Sequence, residues 1–239
     1  MSTGVANPNC SSTSSVKSVQ IFNDLQGLLD EGSLFVATNA TPGTAVATTT
    51  SVVDDAATQS STHGQASPVM LVQNQQPAGG YNIYPLYLKM TIGQVPTSAT
   101  NWHYALRLDP SPSKLTTAGT VITPNALNLA SGTTQTKAYI NFGAITTVIM
   151  SSSGKLIGTG MVDGAIPVQY DEWLFNFGST SSSFDQIGAK TAVKRITIPT
   201  VPVVIPPQWF WTLEMWGASN AAAPSWEFEF VYAERPTGQ

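Results

Sequence analysis

Charge is the property that this sequence has least of. Asp, Glu, Lys and Arg make up 10% of its 239 residues, where about 25% is usual in soluble domains. The 10 basic residues are scattered, with Lys194-Arg195 as their only adjacent pair, and 14 acidic residues give a net charge of -4. Because binding to phosphates needs a clustered basic surface, we predict no direct contact with nucleic acid.

Cysteine and histidine, the usual residues of redox, metal and acid–base sites, are also rare. The one cysteine, Cys10, cannot form an internal disulfide, and two histidines, His63 and His103, are too few for an ordinary transition-metal site. The glycine-flanked serine motif of many hydrolases is missing. The adjacent acids Asp54-Asp55 and Asp171-Glu172 fit solvated positions better than a calcium site. We therefore predict no catalytic residues, no metal and no cofactor.

Long hydrophobic runs are missing as well, since the apolar stretches are short and are interrupted by Pro or Gly. A helix that spans a membrane needs about 20 apolar residues, so we predict no membrane insertion. Residues 1–18 contain no apolar core of signal-peptide length. We accordingly expect synthesis in a cytoplasm.

Hydroxyl side chains take the place of the missing charge, with 24 Ser and 29 Thr in the chain. A hydrophobic content of 42% is sufficient for a packed core and excludes disorder of the whole chain. A polar surface with little charge suits close contact with neighbouring subunits better than free solubility.

Two periodicities divide the chain into an N-terminal interaction arm, residues 1–32, and a β domain, residues 33–239. In the arm, apolar residues recur every three or four positions from Val19 to Leu29, which predicts at most one short helix that ends at Gly32. The apolar side chains Ile21, Phe22 and Leu25 are candidates for docking on a neighbouring subunit.

After Gly32 the apolar period changes to two, and Pro- or Gly-containing loops separate the segments. This pattern predicts an all-β protein, an antiparallel sandwich or barrel. The predicted strands are Leu34–Thr38, Ala45–Val53, Val69–Asn74, Ile83–Val95, Trp102–Asp109, Ala138–Phe142, Ile145–Met150, Leu156–Val162, Glu172–Phe177, Ala192–Ile198, Phe210–Trp216 and Trp226–Tyr232.

Two tryptophans near the C-terminus have two interpretations. In a strand, Trp209 and Trp211 share one face and Phe210 takes the other. If the face of Phe210 belongs to the core, both indoles meet a partner, and we predict an interface there. The alternative is that Trp209 and Trp211 are core residues and that Phe210 is exposed.

Three glutamates raise the alternative of a β-sandwich glycosidase, which needs two carboxyl groups facing each other across a cleft. Glu214 and Glu227 are the candidates, with Glu229 beside Glu227. The simpler interpretation is that Glu227 and Glu229 form the solvent side of a strand whose other side is aromatic.

Four segments carry a resemblance to a known family: residues 79–90 (GGYNIYPLYLKM), 104–109 (YALRLD), 195–217 (RITIPTVPVVIPPQWFWTLEMWG) and 226–232 (WEFEFVY). With the Thr/Ser-rich composition, they resemble the single jelly-roll virion proteins of icosahedral bacteriophages, either capsid or decoration subunits. The resemblance covers residues 33–235.

This resemblance implies a non-enzymatic structural component of a virion, which forms homo-oligomers such as trimers and contacts other capsid subunits. Since the arm is not basic, the resemblance favours a subunit that does not touch naked nucleic acid. The alternative from another class is a carbohydrate-binding module for host attachment, with a glycan as its ligand.

Overall fold

The computed structural model describes residues 27–39, 43–47, 68–95, 102–110, 119–128, 136–143, 145, 154–163, 168–178, 183–186, 194–217 and 225–238. The predicted docking residues Ile21, Phe22 and Leu25, with most of the arm, lie outside these ranges. Cys10, His63 and the Asp54-Asp55 pair also lie outside them.

Fourteen strands occur in the described part of the chain. They are β1 (Leu34–Thr38), β2 (Val46–Ala47), β3 (Met70–Asn74), β4 (Tyr81–Gln94), β5 (Trp102–Pro110), β6 (Thr120–Ile122), β7 (Asn125–Ala126), β8 (Ala138–Phe142), β9 (Lys155–Asp163), β10 (Glu172–Phe177), β11 (Ser183–Gln186), β12 (Lys194–Thr200), β13 (Trp209–Gly217) and β14 (Ser225–Pro236).

The predicted helix end is where the sequence placed it. Residues 27–30 are helical, and Gly32 follows with a φ of 69°, a left-handed conformation that glycine adopts without strain. The N–H of Gly32 donates to the carbonyl of Leu29 (3.0 Å), and that of Ser33 donates to the carbonyl of Leu28 (2.9 Å). These two bonds satisfy the last carbonyls of the turn and direct the chain into β1.

The strands form two sheets, which we call sheet I and sheet II. In the described residues, sheet I has the order β11-β12-β10-β4-β14-β1-β7, with β2 also beside β14, and sheet II has the order β6-β8-β3-β13-β5-β9. Apolar side chains of both sheets make one core cluster between them. The prediction of an all-β sandwich with largely antiparallel sheets is confirmed.

One strand pair departs from the antiparallel pattern. β10 and β12 run parallel, with Glu172 opposite Arg195 and Phe177 opposite Thr200. The prediction of an antiparallel arrangement is therefore wrong for this pair. Of the connection between β10 and β12, the structure describes β11, which is antiparallel to β12.

Aromatic side chains dominate the contact between the sheets. Phe228 of β14 stacks on Phe142 of β8 with ring centroids 3.9 Å apart, and Phe230 of β14 stacks on Trp211 of β13 at 6.1 Å. Alternation along β14 therefore turns Trp226, Phe228, Phe230 and Tyr232 inward. Glu227 and Glu229 lie on the opposite, outer face of sheet I.

Candidate functional site

The predicted interface at Trp211 is wrong, because this indole belongs to the core. Trp211 is fully buried, and Trp209 is half-buried and packs against the same cluster. Phe210 points to the outer face of sheet II, yet it is buried there with Leu71 and Ile145. Both interpretations assumed that one face of this strand is exposed, whereas Phe210 and Trp211, on opposite faces, are both buried.

The two carboxylates of the glycosidase alternative do not face each other. Glu214 is on β13 in sheet II, and Glu227 is on β14 in sheet I. Since each alternates with core residues, they lie on the two outer faces, with the whole sandwich between them. This pair cannot act on one glycosidic bond.

A polar groove lies on the outer face of sheet I, and we call it the outer groove. It consists of three adjoining depressions of about 440, 290 and 280 Å³. Glu227 lines the first two, and Lys89 and Glu229 line the last two. The groove follows β4 and β14, because their register places Glu229 opposite Lys89 and Glu227 opposite Thr91.

The end of the outer groove beside Tyr87, which we call the far end, holds a hydrogen-bonded cluster around Glu229. The hydroxyl of Tyr87 donates to Oε1 of Glu229, and Nζ of Lys89 lies 3.3 Å from Oε2. The hydrogen bond from Tyr87, helped by Lys89, holds the pKa of Glu229 below its usual range despite burial. Burial and then the carboxylate raise the pKa of Tyr87 to about 12, so at neutral pH Tyr87 is a fixed donor.

The opposite end, beside Gln94 and Ser225, is the near end, and a turn that contains Tyr170 forms it. Tyr170 has a φ of 73°, in the left-handed region that a bulky residue rarely adopts. Its N–H donates to the carbonyl of Ile92 (2.8 Å), and the N–H of Asp171 donates to the carbonyl of Val168 (3.0 Å). These bonds hold the turn while 60% of Tyr170 remains exposed.

The outer face of sheet II carries a second group of charged residues, which is buried. Nε of Arg107 lies 3.5 Å from Oδ2 of Asp109, and Glu214 is only 3% exposed. Burial raises the pKa of Glu214 to about 7. The positive charge of Arg107 opposes this shift, and the negative charge of Asp109 adds to it. Gly154 packs against the Asp109 carboxylate, where a larger residue would clash.

Several polar atoms on this buried face have no hydrogen-bond partner in the described part of the chain. They are Oε1 of Glu214, Oγ1 of Thr212, and both side-chain amide atoms of Asn141. Thr212 lies opposite Leu71, and Leu71 lies opposite Asn141, so these residues follow one line across β13, β3 and β8. A buried polar group without a partner costs about 1–3 kcal/mol, a cost that the described contacts of these atoms do not offset.

The adjacent acids Asp171 and Glu172 have structural partners. Oδ2 of Asp171 accepts from the N–H of Val168 (2.7 Å), and Oδ1 accepts from the N–H of Lys194 (2.7 Å). Glu172 pairs with Arg195 at 2.6 Å. Among the described residues, no three Asp, Glu, His or Cys side chains are placed to hold a metal ion.

Comparisons with protein-family models, curated proteins and solved structures found no match to this chain. In the ranges that the structure describes, no helix is long and apolar enough to cross a membrane. Tyr87 and Lys89 fall within the predicted strand Ile83–Val95, whereas the sequence analysis missed Tyr170, since a tyrosine between two β segments carries no signal of its backbone conformation.

Proposed function

We propose that this chain is a single jelly roll and a structural, non-enzymatic subunit of a bacteriophage particle, either in the capsid or as a decoration protein on it. Copies associate with one another, as trimers in the simplest case, and with other capsid subunits. The chain acts through these interfaces in the virion, and it does not contact nucleic acid directly.

The observation that carries this proposal is the order of eight strands. β1, β14, β4 and β10 are neighbours in sheet I, and β3, β13, β5 and β9 are neighbours in sheet II. If the eight are numbered along the chain, the two orders are 1-8-3-6 and 2-7-4-5. A jelly roll, two Greek keys wrapped into a sandwich, has this order, and shell subunits are among the proteins that use it.

Exposed apolar side chains at the margins of the sandwich support association. Val121 (52% exposed) and Leu127 (43%) flank the crossing of the chain from sheet II to sheet I. Val201 (55%) and Val204 (41%) form a second patch. The second patch lies beside β4, because Ile205, which follows it in the chain, pairs with Ile83 of β4. The first patch lies beside β7, so β4, β14 and β1 separate the two patches in sheet I.

Two separate patches suit an assembly in which each copy contacts more than one neighbour. A closed ring or shell is made from such head-to-tail contacts. Specific contacts of this kind bury upwards of about 1,000 Å². The low charge and many hydroxyl groups of this chain fit flat, partly polar interfaces.

Electron microscopy and light scattering of the purified chain test the proposal. The unmodified chain is expected to form regular oligomers or shells. The double variants Val121→Ser/Leu127→Ser and Val201→Ser/Val204→Ser are expected to form smaller species. The control Leu156→Ser removes an exposed leucine outside both patches (48% exposed) and should assemble normally. Identical assembly of all three variants, or none by the unmodified chain, would contradict the proposal.

A further inference from the structure

The outer groove points to a binding function that is separate from assembly, and neither apolar patch contributes a residue to it. Its three depressions adjoin along β4 and β14 from Gln94 and Ser225 to Tyr87. At the rise of an extended strand, this length is about 20 Å. A groove of this form fits a linear ligand better than a compact one.

The chemistry of the lining restricts the class of ligand. Lys89 is paired with Glu229, whereas Glu227 has no ion pair in the described part of the chain. The remaining polar groups are neutral hydroxyls and amides, which include Thr38, Thr91 and Gln94. Such a lining both donates and accepts hydrogen bonds, as a polyhydroxyl ligand requires. Glu227 would repel an anionic ligand. A strongly cationic ligand would have only the Glu227 carboxylate to pair with among the described lining residues, because Glu229 is already paired with Lys89.

Tyr170 gives the groove an aromatic platform at its near end. The ring is 60% exposed, although the φ of 73° is unfavourable for tyrosine and would suit Gly or Asn better. Strained residues of this kind concentrate at functional sites. An exposed aromatic face beside hydrogen-bonding groups can stack on the C–H face of a sugar ring while the hydroxyls bind its neighbours.

We propose that the outer groove binds a neutral oligosaccharide, with a sugar ring stacked on Tyr170 and sugar hydroxyls donating to Glu227. Further units lie along Thr91 and Lys89 toward Tyr87. The hydroxyl of Tyr87 remains engaged by Glu229 and shapes the far end of the groove. The site would let an assembled particle attach to a glycan surface, but binding by the single chain does not depend on assembly.

Calorimetry with the full chain tests this proposal. The probes are soluble oligosaccharides of three to six glucose, mannose, galactose or N-acetylglucosamine units. At least one should bind, and Tyr170→Asn should weaken that binding about tenfold or more while leaving the melting temperature equal or higher, because Asn tolerates the left-handed backbone. Glu227→Gln should also weaken binding. The matched control Tyr81→Asn changes another exposed tyrosine (38%) outside the groove and should bind normally.

Three results would overturn the proposal. One is that no probe binds, and another is that binding persists unchanged in both groove variants. The third is that a lysine-rich peptide binds while the sugars do not, with Glu227→Gln abolishing that binding and Tyr170→Asn leaving it intact. In the third case the groove recognises a cationic partner instead. None of these results bears on the oligomeric state, so the proposal can fail while the structural role stands.

Discussion

Trp211 of sheet II stacks on Phe230 of sheet I, with ring planes 6° apart. Phe177 meets the same indole edge-on at 5.7 Å, so Trp211 is held from two directions by the opposite sheet. We expect Trp211→Ser to destabilise the protein by about 4 kcal/mol or more, because it leaves a large cavity and a buried hydroxyl.

Urea unfolding of the variant measures this loss. Trp209→Ser is the matched control, since Trp209 is only half-buried, and its loss should be clearly smaller. A Trp211→Ser variant that folds with the stability of the parent and loses only its oligomeric state would instead make Trp211 an interface residue.

Glu214 should make the stability of the protein depend on pH. Its pKa is raised to about 7 in the fold from an ordinary value of 4.5, so between these values the folded state keeps a proton that the unfolded chain releases. The free energy of unfolding therefore falls as the pH rises through this window, by about 3 kcal/mol in total.

Denaturation curves between pH 4 and pH 8 (roughly the window that linkage defines) check this expectation. Glu214→Gln should make the fall clearly smaller, and what remains includes the contribution of Glu234, whose pKa burial also raises; Glu227→Gln, on the other sheet, should keep the fall of the parent. An unchanged pH slope in Glu214→Gln would mean that burial does not govern the protonation of this carboxyl.

The hydrogen bond between Tyr87 and Glu229 should be visible in a titration. Removal of the donor in Tyr87→Phe should raise the pKa of Glu229, because that bond is the main cause of its lowered value. Since the folded-state pKa is the lower one, the contact stabilises the fold at neutral pH and is lost as the pH falls.

Carbon-detected NMR of the glutamate carboxyl groups gives the pKa directly. Tyr84→Phe is the control, because in the described part of the chain the Tyr84 hydroxyl accepts from Nδ2 of Asn82 and does not donate to Glu229. A Glu229 midpoint that is equal in Tyr87→Phe and in the parent would show that the hydroxyl does not donate to this carboxylate in solution.

Side-chain hydrogen bonds of Asn39 link the end of β1 to β14. Its Oδ1 accepts from the N–H of Phe228 (2.6 Å), and its Nδ2 donates to the carbonyls of Trp226 (3.1 Å) and Thr44 (3.0 Å). Asn39→Ala leaves these groups without partners and should cost about 1–3 kcal/mol. Asn82→Ala, which removes one side-chain bond, should cost less. Equal melting temperatures for the two variants would contradict this role.

The sequence analysis predicted most accurately the strands that have clear alternation or a compact apolar run. β1, β8 and β10 have the predicted bounds, because buried and partly exposed positions alternate or because an apolar run is compact. β6, β7 and β11, of two to four residues, are too short for a periodicity to appear and were missed.

The alternation predicted for β4 fails at one point. Strict alternation would place Leu86 on the face of Leu88, but the register with β14 shifts between Val231 and Tyr232, next to Pro85. Proline has no N–H for the ladder, and such positions favour a bulge. The inward positions are therefore Ile83 and Pro85 before the shift, and Leu88 after it.

The candidate sites required information that a single sequence does not contain. Alternation predicted the solvent side of a strand for Glu229, and Lys89 lies in another predicted strand, but only the register between β4 and β14 brings them together. The burial of Glu214 depends on what covers sheet II, since in sequence it occupies an ordinary polar position of an alternating strand. The composition shows that the protein carries little charge, and from this the sequence analysis predicts subunit interfaces.

The most direct test of the structural role is sedimentation velocity of the purified full chain over a range of concentrations. Association through the sandwich margins predicts species several times heavier than the 25.3 kDa chain, with a population that grows as concentration rises. A single species of monomer mass at the highest soluble concentration would contradict it.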